Sequence, residues 1–548
     1  MINKFKAAGT ILCGRAMMAQ LASEMTHLDI KKPAIVAQMG YRGKAAKAAR
    51  LFSPGHYQFL PIYEGSVPDD CDFLILAGGR VLTDYYAADK RYKAFVPLHH
   101  SHLSEIKEPV SDFIIIDSAF VNKQSVIKKF MLDYANAVTD SATTYPIDFS
   151  MPKSFTYSCR TTVFSGHTTL SELPVLLKFQ SIKKPLLLTD KGIVSIGLLS
   201  FIHDEIGDLD LEIFDDIPAD SNVHVVNAIS RLYSEKKCDA IIAFGGGSVI
   251  DTGKGVYLNV SLSQSDLFEM VGSSHIPRLN TPFITIPTTS GTGSEVTKVA
   301  VITDVENERK LLFNSSNLQP DYALLDSRLT ISMPSHLTAM TAMDALTHAI
   351  EAFTCLGKNP LSDYMAWAAI ELIRDNLFPS LSDPENLTHR KALAIASNLA
   401  GQAFSNSMVG MIHTIGHSIG SVCHVPHGSC MSILLPHGLE YNFYKIEPML
   451  AQLLWALSGK EVYDNTPAEN RGKATIAEIR KMNRLLNEKT DGRHGEKFSD
   501  LKNREGEFMV TKDRFNQIAH TALGDASIVY NPEELRLDDI LDILEKSY

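Results

Sequence analysis

Cysteine is scarce in this chain, and no two cysteines form a Cys-x-x-Cys pair. The 548 residues include seven cysteines, which do not make the disulfide framework of a small secreted protein. A run of 18 apolar residues is also missing, so we expect no segment to span a membrane. The first residues carry two lysines with no apolar stretch behind them, which argues against a secretory signal. These absences predict a reducing, cytoplasmic location.

Positive charge is in deficit. The chain has 52 Lys and Arg against 63 Asp and Glu, a net charge of −11 at pH 7. This balance argues against nucleic acid or an anionic membrane as the main partner. The hydrophobic fraction of 45% and charged fraction of 21% are ordinary for globular proteins. The length allows about three or four domains.

Histidine, by contrast, is concentrated in one short stretch. Four histidines lie between residues 413 and 427 among apolar and small residues. His413 and His417 are four apart and would share one face of a helix. Pro426 is expected to break that helix and to set His427 on a turn that ends at Gly428. Imidazole is a common metal ligand, so this stretch predicts part of a metal site.

A second pair with helical spacing supplies the missing ligands. Asp344 and His348 are also four apart, within an amphipathic pattern that runs from residue 338 to 351. One carboxylate with three imidazoles suits Fe(II) or Zn. Spacing alone does not choose between His413 and His417 as the third ligand, and each histidine alone would more often be structural.

Two regions of alternating strand and helix patterns precede these ligands, and they resemble each other. Segments 30–40, 71–79 and 112–118 match 182–192, 238–246 and 321–327 in letters and order. Gly14 and Gly166 keep the offset of the first match, since 166 − 14 and 192 − 40 are both 152. The alternation predicts parallel α/β sheets. The repeat favours a duplicated domain over two unrelated ones.

The second copy contains two loops suited to a nucleotide. A glycine-rich turn follows a predicted strand and opens a predicted helix, where amides and the helix dipole favour phosphate; it comprises Gly245, Gly246, Gly247 and Ser248. Residues 287–295 form a second loop with unusual hydroxyl density. Asp190 ends the first strand of this copy, where a carboxylate can accept hydrogen bonds from adenosine ribose and repel a 2′-phosphate.

The first copy lacks these features. It has Gln38 in the place of Asp190, and Arg80 and Val81 where the second copy has its third glycine and serine. The hydroxyl-rich loop is missing, because the corresponding stretch is much shorter. We therefore expect residues 1–150 to form a degenerate domain that binds no dinucleotide.

Helical patterns dominate from residue 334 to the C-terminus. We expect breaks near the prolines in this region, namely Pro379, Pro384, Pro436 and Pro467. The chain is thus predicted to divide into a degenerate α/β domain (1–150), a dinucleotide-binding α/β domain (151–332) and an all-helical metal-binding domain (333–548).

Four motifs in this order resemble the iron-containing (group III) alcohol dehydrogenases. They span residues 245–254, 286–297, 343–351 and 413–427, and the resemblance covers about 156–548. It implies a Rossmann-like parallel-sheet domain followed by a helical metal domain, with NAD and Fe(II) as cofactors and Zn as the alternative metal. The extra N-terminal copy departs from the family pattern.

The resemblance also assigns residues. It implies metal ligation by Asp344, His348, His413 and His427, and it places His417 beside the nicotinamide as a proton-relay candidate. The residues implied for cofactor binding are Asp190, Gly245, Gly246, Gly247, Ser248, Asp251, Lys254, Thr288, Thr289 and Thr292.

The expected activity is interconversion of a primary or secondary alcohol and its aldehyde or ketone with NAD(H). The metal would polarise the substrate oxygen while hydride passes between substrate and nicotinamide. The expected partner is a small-molecule substrate, and the expected assembly is a homodimer or higher homo-oligomer. Two alternatives remain at this point, a dehydroquinate-synthase-like lyase and a non-catalytic nucleotide or metal sensor.

Overall fold

The computed structural model describes residue 152 and residues 154–548, with gaps at 263–266, 273–275 and 308, and adds seven strands within the first 117 residues. Gln38, Arg80 and Val81 lie outside the described residues. The strands of the described residues are β1 Asn3–Phe5, β2 Thr10–Gly14, β3 Pro33–Ala37, β4 Ile62–Tyr63, β5 Phe73–Ala77, β6 Tyr92–Val96, β7 Phe113–Asp117, β8 Ser154–Ser158, β9 Thr162–Gly166, β10 Pro185–Leu188, β11 Glu212–Phe214, β12 Ala240–Gly245, β13 Phe283–Pro287, β14 Val299–Asp304, β15 Arg309–Asn314 and β16 Tyr322–Asp326.

These strands form two seven-stranded sheets and one hairpin. The first sheet has the order β4-β3-β5-β6-β7-β2-β8, and the second has the order β11-β10-β12-β13-β16-β9-β1. In each sheet six neighbouring strands are parallel, and the last strand is antiparallel to its neighbour. Strands β14 and β15 pair with each other as an antiparallel hairpin outside both sheets.

The centre of the second sheet is buried on both faces. Every residue of β10, β12 and β13 is buried, as expected for parallel strands covered by helices on two sides. The helices between these strands are α1 Leu173–Phe179, α2 Lys191–Ser195, α3 Leu199–Ile206, α4 Val223–Lys236 and α5 Gly247–Ser261. The carboxyl ends of neighbouring parallel strands therefore meet at one edge, where ligands bind in open α/β sheets.

Helices dominate residues 335–548. They are α6 Ser335–Thr354, α7 Pro360–Ser382, α8 Leu387–Ser407, α9 Met411–Cys423, α10 His427–Tyr441, α11 Phe443–Ser458, α12 Lys460–Asn465, α13 Arg471–Lys489, α14 Phe515–Ala522 and α15 Leu537–Ser547. Short 3-10 helices occur at Thr169–Glu172, Leu267–Met270, Ser316–Leu318, Ser327–Thr330, Ala468–Asn470, Phe498–Asp500, Lys512–Arg514 and Ala526–Tyr530. Within the described part of the chain, no helix has the length and apolar character needed to cross a bilayer.

Two of the expected helix breaks are wrong. Pro379 lies inside α7 and Pro436 lies inside α10, and Pro448 is likewise inside α11. A proline removes one backbone hydrogen bond and crowds the preceding turn. Burial compensates at Pro436, which lies in the buried face of α10.

Candidate active site

Helix α6 presents one face of polar side chains to the interior. Asp344, His348 and Glu351 lie at successive turns of α6, and all three are buried. The helix begins directly after Pro334. Proline has no backbone N–H to donate, so it suits the start of a helix and not its interior.

Helices α9 and α10 bring in the remaining histidines. His413 is buried in the first turn of α9, and His417 follows one turn later with about a third of its side chain exposed (33%). Helix α9 ends at His424, which adopts φ 56°. The expectation of a turn at His427 is wrong. His427 is the first residue of α10, and Gly428 lies inside that helix.

Helix α10 starts against α6 at a glycine. A Cβ on Gly428 would lie 2.5 Å from the carbonyl oxygen of Met340, closer than any side chain allows. This contact brings the N-terminus of α10 next to the polar face of α6. His427 thereby reaches Asp344 from a different helix.

Four side chains converge on one small volume. One ligand atom from each of Asp344, His348, His413 and His427 lies within 4.8 Å of the others. From Asp344 Oδ1 the distances are 3.6 Å to His348 Nδ1, 3.9 Å to His413 Nε2 and 3.3 Å to His427 Nε2. Spacing alone left His413 and His417 as alternatives, and the structure brings His413 into this cluster.

The cluster has the chemistry that a divalent metal requires. Asp344 Oδ1, His348 Nδ1 and His413 Nε2 are buried and have no hydrogen-bond partner among the described residues. Buried polar atoms without partners are costly and call for an explanation such as an ion. A set of three nitrogens and one carboxylate oxygen fits Fe(II) or Zn.

Burial and proximity set the charges of this cluster. Burial lowers the pKa of His348 to about 3 and brings the pKa of His413 well below its usual value. Burial acts to raise the pKa of Asp344, but the nearby imidazoles outweigh it, and the pKa is lowered. Burial acts to lower the pKa of His427, but the Asp344 carboxylate outweighs it, and the pKa is raised. Neutral imidazoles and an ionised carboxylate are the forms that bind metal.

Glu351 supports the cluster from behind. Its Oε2 contacts His413 Nδ1, and its Oε1 accepts a hydrogen bond from the amide of Ile412 at 2.9 Å. A carboxylate on one ring nitrogen fixes the tautomer of the imidazole and leaves the other nitrogen free to ligate. Burial raises the pKa of Glu351 to about 7. The sequence analysis gave Glu351 no role, although it ends the same motif as Asp344 and His348.

Asp525 holds the remaining histidine. The Nδ1 atom of His417 lies 2.9 Å from Asp525 Oδ2. The His417 ring stacks on the His427 ring with centroids 5.3 Å apart. His417 is therefore beside the cluster and oriented by a carboxylate, but it faces solvent on its remaining side. No sequence pattern indicated Asp525, because it is a lone acid 108 residues from His417 in the chain.

The expected cofactor residues meet at the carboxyl edge of the second sheet. Gly245 ends β12 and accepts a hydrogen bond from the amide of Thr288 at 3.1 Å. The Thr288 hydroxyl is buried without a hydrogen-bond partner in the described part of the chain. Asp190 caps the N-terminus of α2 through one oxygen, and Ser248 donates its hydroxyl to the carbonyl of Ala219.

The glycine-rich turn and the hydroxyl-rich loop touch each other. A Cβ on Gly247 would lie 2.7 Å from Thr292 Cγ2, and one on Gly246 would lie 3.4 Å from Thr289 Cγ2. Glycine is needed at position 247 because a methyl group there would collide with the second loop. The two loops therefore form a continuous backbone surface at the N-terminus of α5, where an anion is favoured.

Asp251 and Lys254 point from α5 into the hydroxyl-rich loop. Asp251 accepts hydrogen bonds from Ser294 Oγ at 2.5 Å and from the amide of Val301 at 3.0 Å. Lys254 is fully buried, and burial lowers its pKa to about 8. Its ammonium donates to Ser294 Oγ at 3.0 Å, Thr297 Oγ1 at 2.8 Å and the Val299 carbonyl at 2.6 Å. Both side chains thus hold the loop in place.

The hydroxyl-rich loop also packs directly on the helices. Gly293 has φ +61°, and its Cβ would lie 2.6 Å from the Cα atom of Gly401 in α8. A Cβ on Gly291 would lie 2.8 Å from Thr341 Cβ in α6. One loop therefore lines the carboxyl edge of the sheet and contacts α6, the helix that carries Asp344.

The chain matches two family descriptions and several known proteins. Residues 160–327 match the family described as "Iron-containing alcohol dehydrogenase", and residues 338–548 match "Fe-containing alcohol dehydrogenase family, C-terminal". The chain is 38% identical over 320 residues to the probable alcohol dehydrogenase EutG of Escherichia coli (strain K12), which covers 58% of this chain and 75% of that protein. The chain belongs to the iron-containing alcohol dehydrogenase family.

Two further relatives match this chain over nearly their whole length. The 1,3-propanediol dehydrogenase of Klebsiella pneumoniae is 31% identical over 403 residues, 72% of this chain and 99% of that one. The NAD-dependent methanol dehydrogenase of Bacillus methanolicus is 30% identical over 387 residues, 70% and 97% respectively. A solved structure of 1,3-propanediol oxidoreductase matches with a TM-score of 0.66 at 29% identity, covering 72% of this chain and 100% of that one.

Membership of the iron-containing alcohol dehydrogenases confirms the expected enzyme class. The protein is an oxidoreductase that interconverts alcohols and aldehydes with NAD, in a family that uses iron. The Rossmann-like sheet followed by a helical region is confirmed by the solved relatives. The lyase and sensor alternatives are not favoured.

Proposed function

We propose that Asp344, His348, His413 and His427 hold the iron of this alcohol dehydrogenase. The observation that carries the proposal is the convergence of four ligand atoms within 4.8 Å, three of them buried without partners among the described residues. Zn has the same ligand preferences and is the alternative metal. His417 is left out of the proposed ligand set, because the four ligand atoms that lie within 4.8 Å of one another come from the other residues; Asp525 orients the His417 ring.

NAD(H) is placed along the carboxyl edge of the second sheet. The amides of Gly246, Gly247 and Ser248 would hold its pyrophosphate, and the Asp190 oxygen that does not cap α2 would accept hydrogen bonds from the adenosine ribose. The remaining contributions come from Gly245 and the hydroxyls of Thr288, Thr289 and Thr292, while Asp251 and Lys254 hold the loop. Asp190 favours NAD over NADP, since its carboxylate repels a 2′-phosphate.

The chemistry divides between the bound groups and the protein. When bound, the iron supplies a Lewis acid for the substrate oxygen, and the nicotinamide supplies or accepts the hydride. The protein's part would be to align both groups with one substrate, the metal with its oxygen and the nicotinamide with its carbinol carbon. Glu351 would fix the tautomer of His413, and the contact between the hydroxyl-rich loop and α6 would set the spacing between the cofactor and the metal ligands.

His417 is the proposed proton carrier. Asp525 accepts the Nδ1 proton of the imidazole, so the Nε2 atom is the one available to take a proton from the substrate side. With a third of its side chain exposed (33%), His417 can release that proton to water. A positioned base of this kind contributes typically about 10²–10⁴-fold to a rate.

The substrate is proposed to be a small primary or secondary alcohol or its carbonyl product. We place the enzyme in the cytoplasm, with neither nucleic acid nor membrane as a partner. The proposed domains are residues 1–150, 151–332 and 333–548. All four proposed ligands come from one chain, so the homodimer or higher oligomer predicted from the sequence would repeat this site and not complete it.

Metal analysis of the anaerobically purified enzyme tests the assignment. Wild type should carry about one iron per chain and oxidise NADH with a panel of short aldehydes. His413→Ala and His427→Ala should lose the metal, while His417→Ala should keep it and turn over slowly. His424→Asn is the matched control, since His424 is exposed on the same stretch and asparagine tolerates its positive φ. Retention of iron by His413→Ala together with its loss from His417→Ala would refute the ligand set.

A further inference from the structure

The two seven-stranded sheets have the same strand order. Reading both from the parallel edge, β4-β3-β5-β6-β7-β2 corresponds to β11-β10-β12-β13-β16-β9. The hairpin β14–β15 lies between β13 and β16 in the chain, whereas a connection of only residues 97–112 joins β6 to β7. The order of pairing therefore extends the repeat seen in the sequence from letters to topology.

The seventh strand of each sheet comes from the other half of the chain. Strand β1, at the start of the chain, pairs with β9 in the second sheet. Strand β8, which immediately precedes β9, pairs with β2 in the first sheet. Each half thus donates the strand before its own first parallel strand to the edge of the other half.

The registers of the two exchanged strands are equivalent. Asn3 pairs with Ser165 in one ladder, and Phe155 pairs with Cys13 in the other. The repeat offset relates them, since 3 + 152 = 155 and 165 − 152 = 13. The two neighbouring pairs of the β1–β9 ladder obey the same relation. Contacts in which i meets j and j meets i define an isologous, two-fold interface.

We propose that residues 1–150 act as a built-in partner, exchanging edge strands with the catalytic half as a second copy of the chain would in a homodimer. An unpaired edge strand is a template for another chain. Here the β9 edge is covered by β1 and the β2 edge by β8. The place where a second copy would add its strand is already filled, so the chain is a monomer with respect to this edge.

The exchanged strand β8 is fixed to the catalytic half by side chains. Tyr157 donates its hydroxyl to Gln402 Oε1 at 3.0 Å, and the Ser158 amide donates to Asn406 Oδ1 at 2.7 Å. Both partners lie on α8, the helix that also contacts the hydroxyl-rich loop at Gly401. The first sheet is therefore attached, through its edge strand, to a helix that borders the cofactor site.

Engineered disulfides in the full-length enzyme test the exchange. Directly opposite residues of an antiparallel pair have Cα atoms about 4.5–5.5 Å apart, within the range a disulfide spans. One variant combines Asn3→Cys with Ser165→Cys, and a second needs only Phe155→Cys, because Cys13 is its native partner. The matched control combines Asn3→Cys with Thr162→Cys, a β9 position three residues out of register.

After oxidation, both test variants should form the designed link, identified by peptide mapping, and remain at 60.4 kDa under denaturing, non-reducing conditions. The control should stay unlinked. A linked species of twice that mass would show that strands are exchanged between two chains and would overturn the proposal. Failure of both test variants to link would show that β1 and β8 do not occupy these edges and would overturn it as well.

Discussion

At the scale of single residues, the side chains that support the metal ligands are as specific as the ligands themselves. Glu351 is buried, contacts His413 Nδ1 and receives a backbone amide. Its carboxyl group thus lies behind the cluster of three imidazoles and Asp344. A ligand histidine without such a partner is free to rotate and to change tautomer.

Glu351→Gln should therefore weaken iron binding by roughly 10–100-fold, the usual cost of losing such a partner. Competition with a chelator measures the affinity directly, without relying on turnover. Glu371→Gln on α7 is the control, since Glu371 is also partly buried but lies outside the cluster. Equal iron affinity in Glu351→Gln and wild type would remove Glu351 from the site.

Asp525 is expected to act through His417 and not on the substrate itself. Asp525→Asn should retain iron but lower kcat by about tenfold or more, because the imidazole of His417 loses the acceptor that orients it. The pH profile of kcat should shift as well, whereas KM for the aldehyde should change little. Asp525→Glu, which keeps the carboxylate, should recover part of the rate. Loss of iron from Asp525→Asn would indicate a structural role instead.

Elements explain what the sequence could and could not predict. The i, i+4 pairs in α6 and α9 are local patterns, so both helices follow from periodicity. Spacing left His413 and His417 as alternatives, and the resemblance to the iron-containing alcohol dehydrogenases made the choice between them. Glu351 and Asp525 contact histidines 62 and 108 residues away, and no local pattern carries such a contact. The turn predicted at His427 and the breaks predicted at Pro379 and Pro436 failed because tertiary packing stabilises helices that local propensity disfavours.

A buried histidine links α10 to the segment after α13. His494 is only 4% exposed, and its Nε2 atom lies 2.7 Å from Ser432 Oγ. Burial lowers its pKa from 6.5 to about 4. The unfolded chain therefore binds a proton at a higher pH than the folded one, so this contribution to stability is complete above pH 6.5 and is lost as pH falls towards 4.

Urea unfolding of wild type and His494→Gln between pH 7 and 4 measures this loss. The wild type should lose roughly 3 kcal/mol more than the variant across that range. His520→Gln is the control, because His520 is exposed on α14. Parallel curves for wild type and His494→Gln would contradict the expectation.

The contact between the hydroxyl-rich loop and α8 is made by backbone on both sides. Gly401→Ala would place a methyl group 2.8 Å from the Gly293 carbonyl oxygen and 2.9 Å from its Cα atom. No side-chain rotation relieves that overlap, so the variant should lose roughly 1–3 kcal/mol of stability and bind NADH more weakly. Gly420→Ala, where the new methyl group meets only an ordinary contact at 3.5 Å, is the control. An unchanged Tm and KM in Gly401→Ala would argue against a rigid contact.

At the scale of the whole molecule, the residues of the proposed active site all come from the part of the chain that follows the first sheet's parallel strands. Every proposed metal ligand and every proposed cofactor residue lies beyond residue 189. The first sheet matches the second in strand order. Residues 1–150 contribute none of these proposed residues, so catalysis does not constrain the sequence of that half directly.

The double role of the hydroxyl-rich loop has a thermodynamic consequence. The same nine residues border the proposed NAD(H) site and contact α6, so ordering the loop from either side lowers the cost of ordering it from the other. Ligands that share such an element enhance each other's affinity by the same factor, whichever binds first. Calorimetric titration of NADH into iron-loaded and chelator-treated enzyme should give one ratio of dissociation constants, and iron titrations with and without NADH should reproduce it. A ratio of one in both directions would mean that the loop transmits nothing.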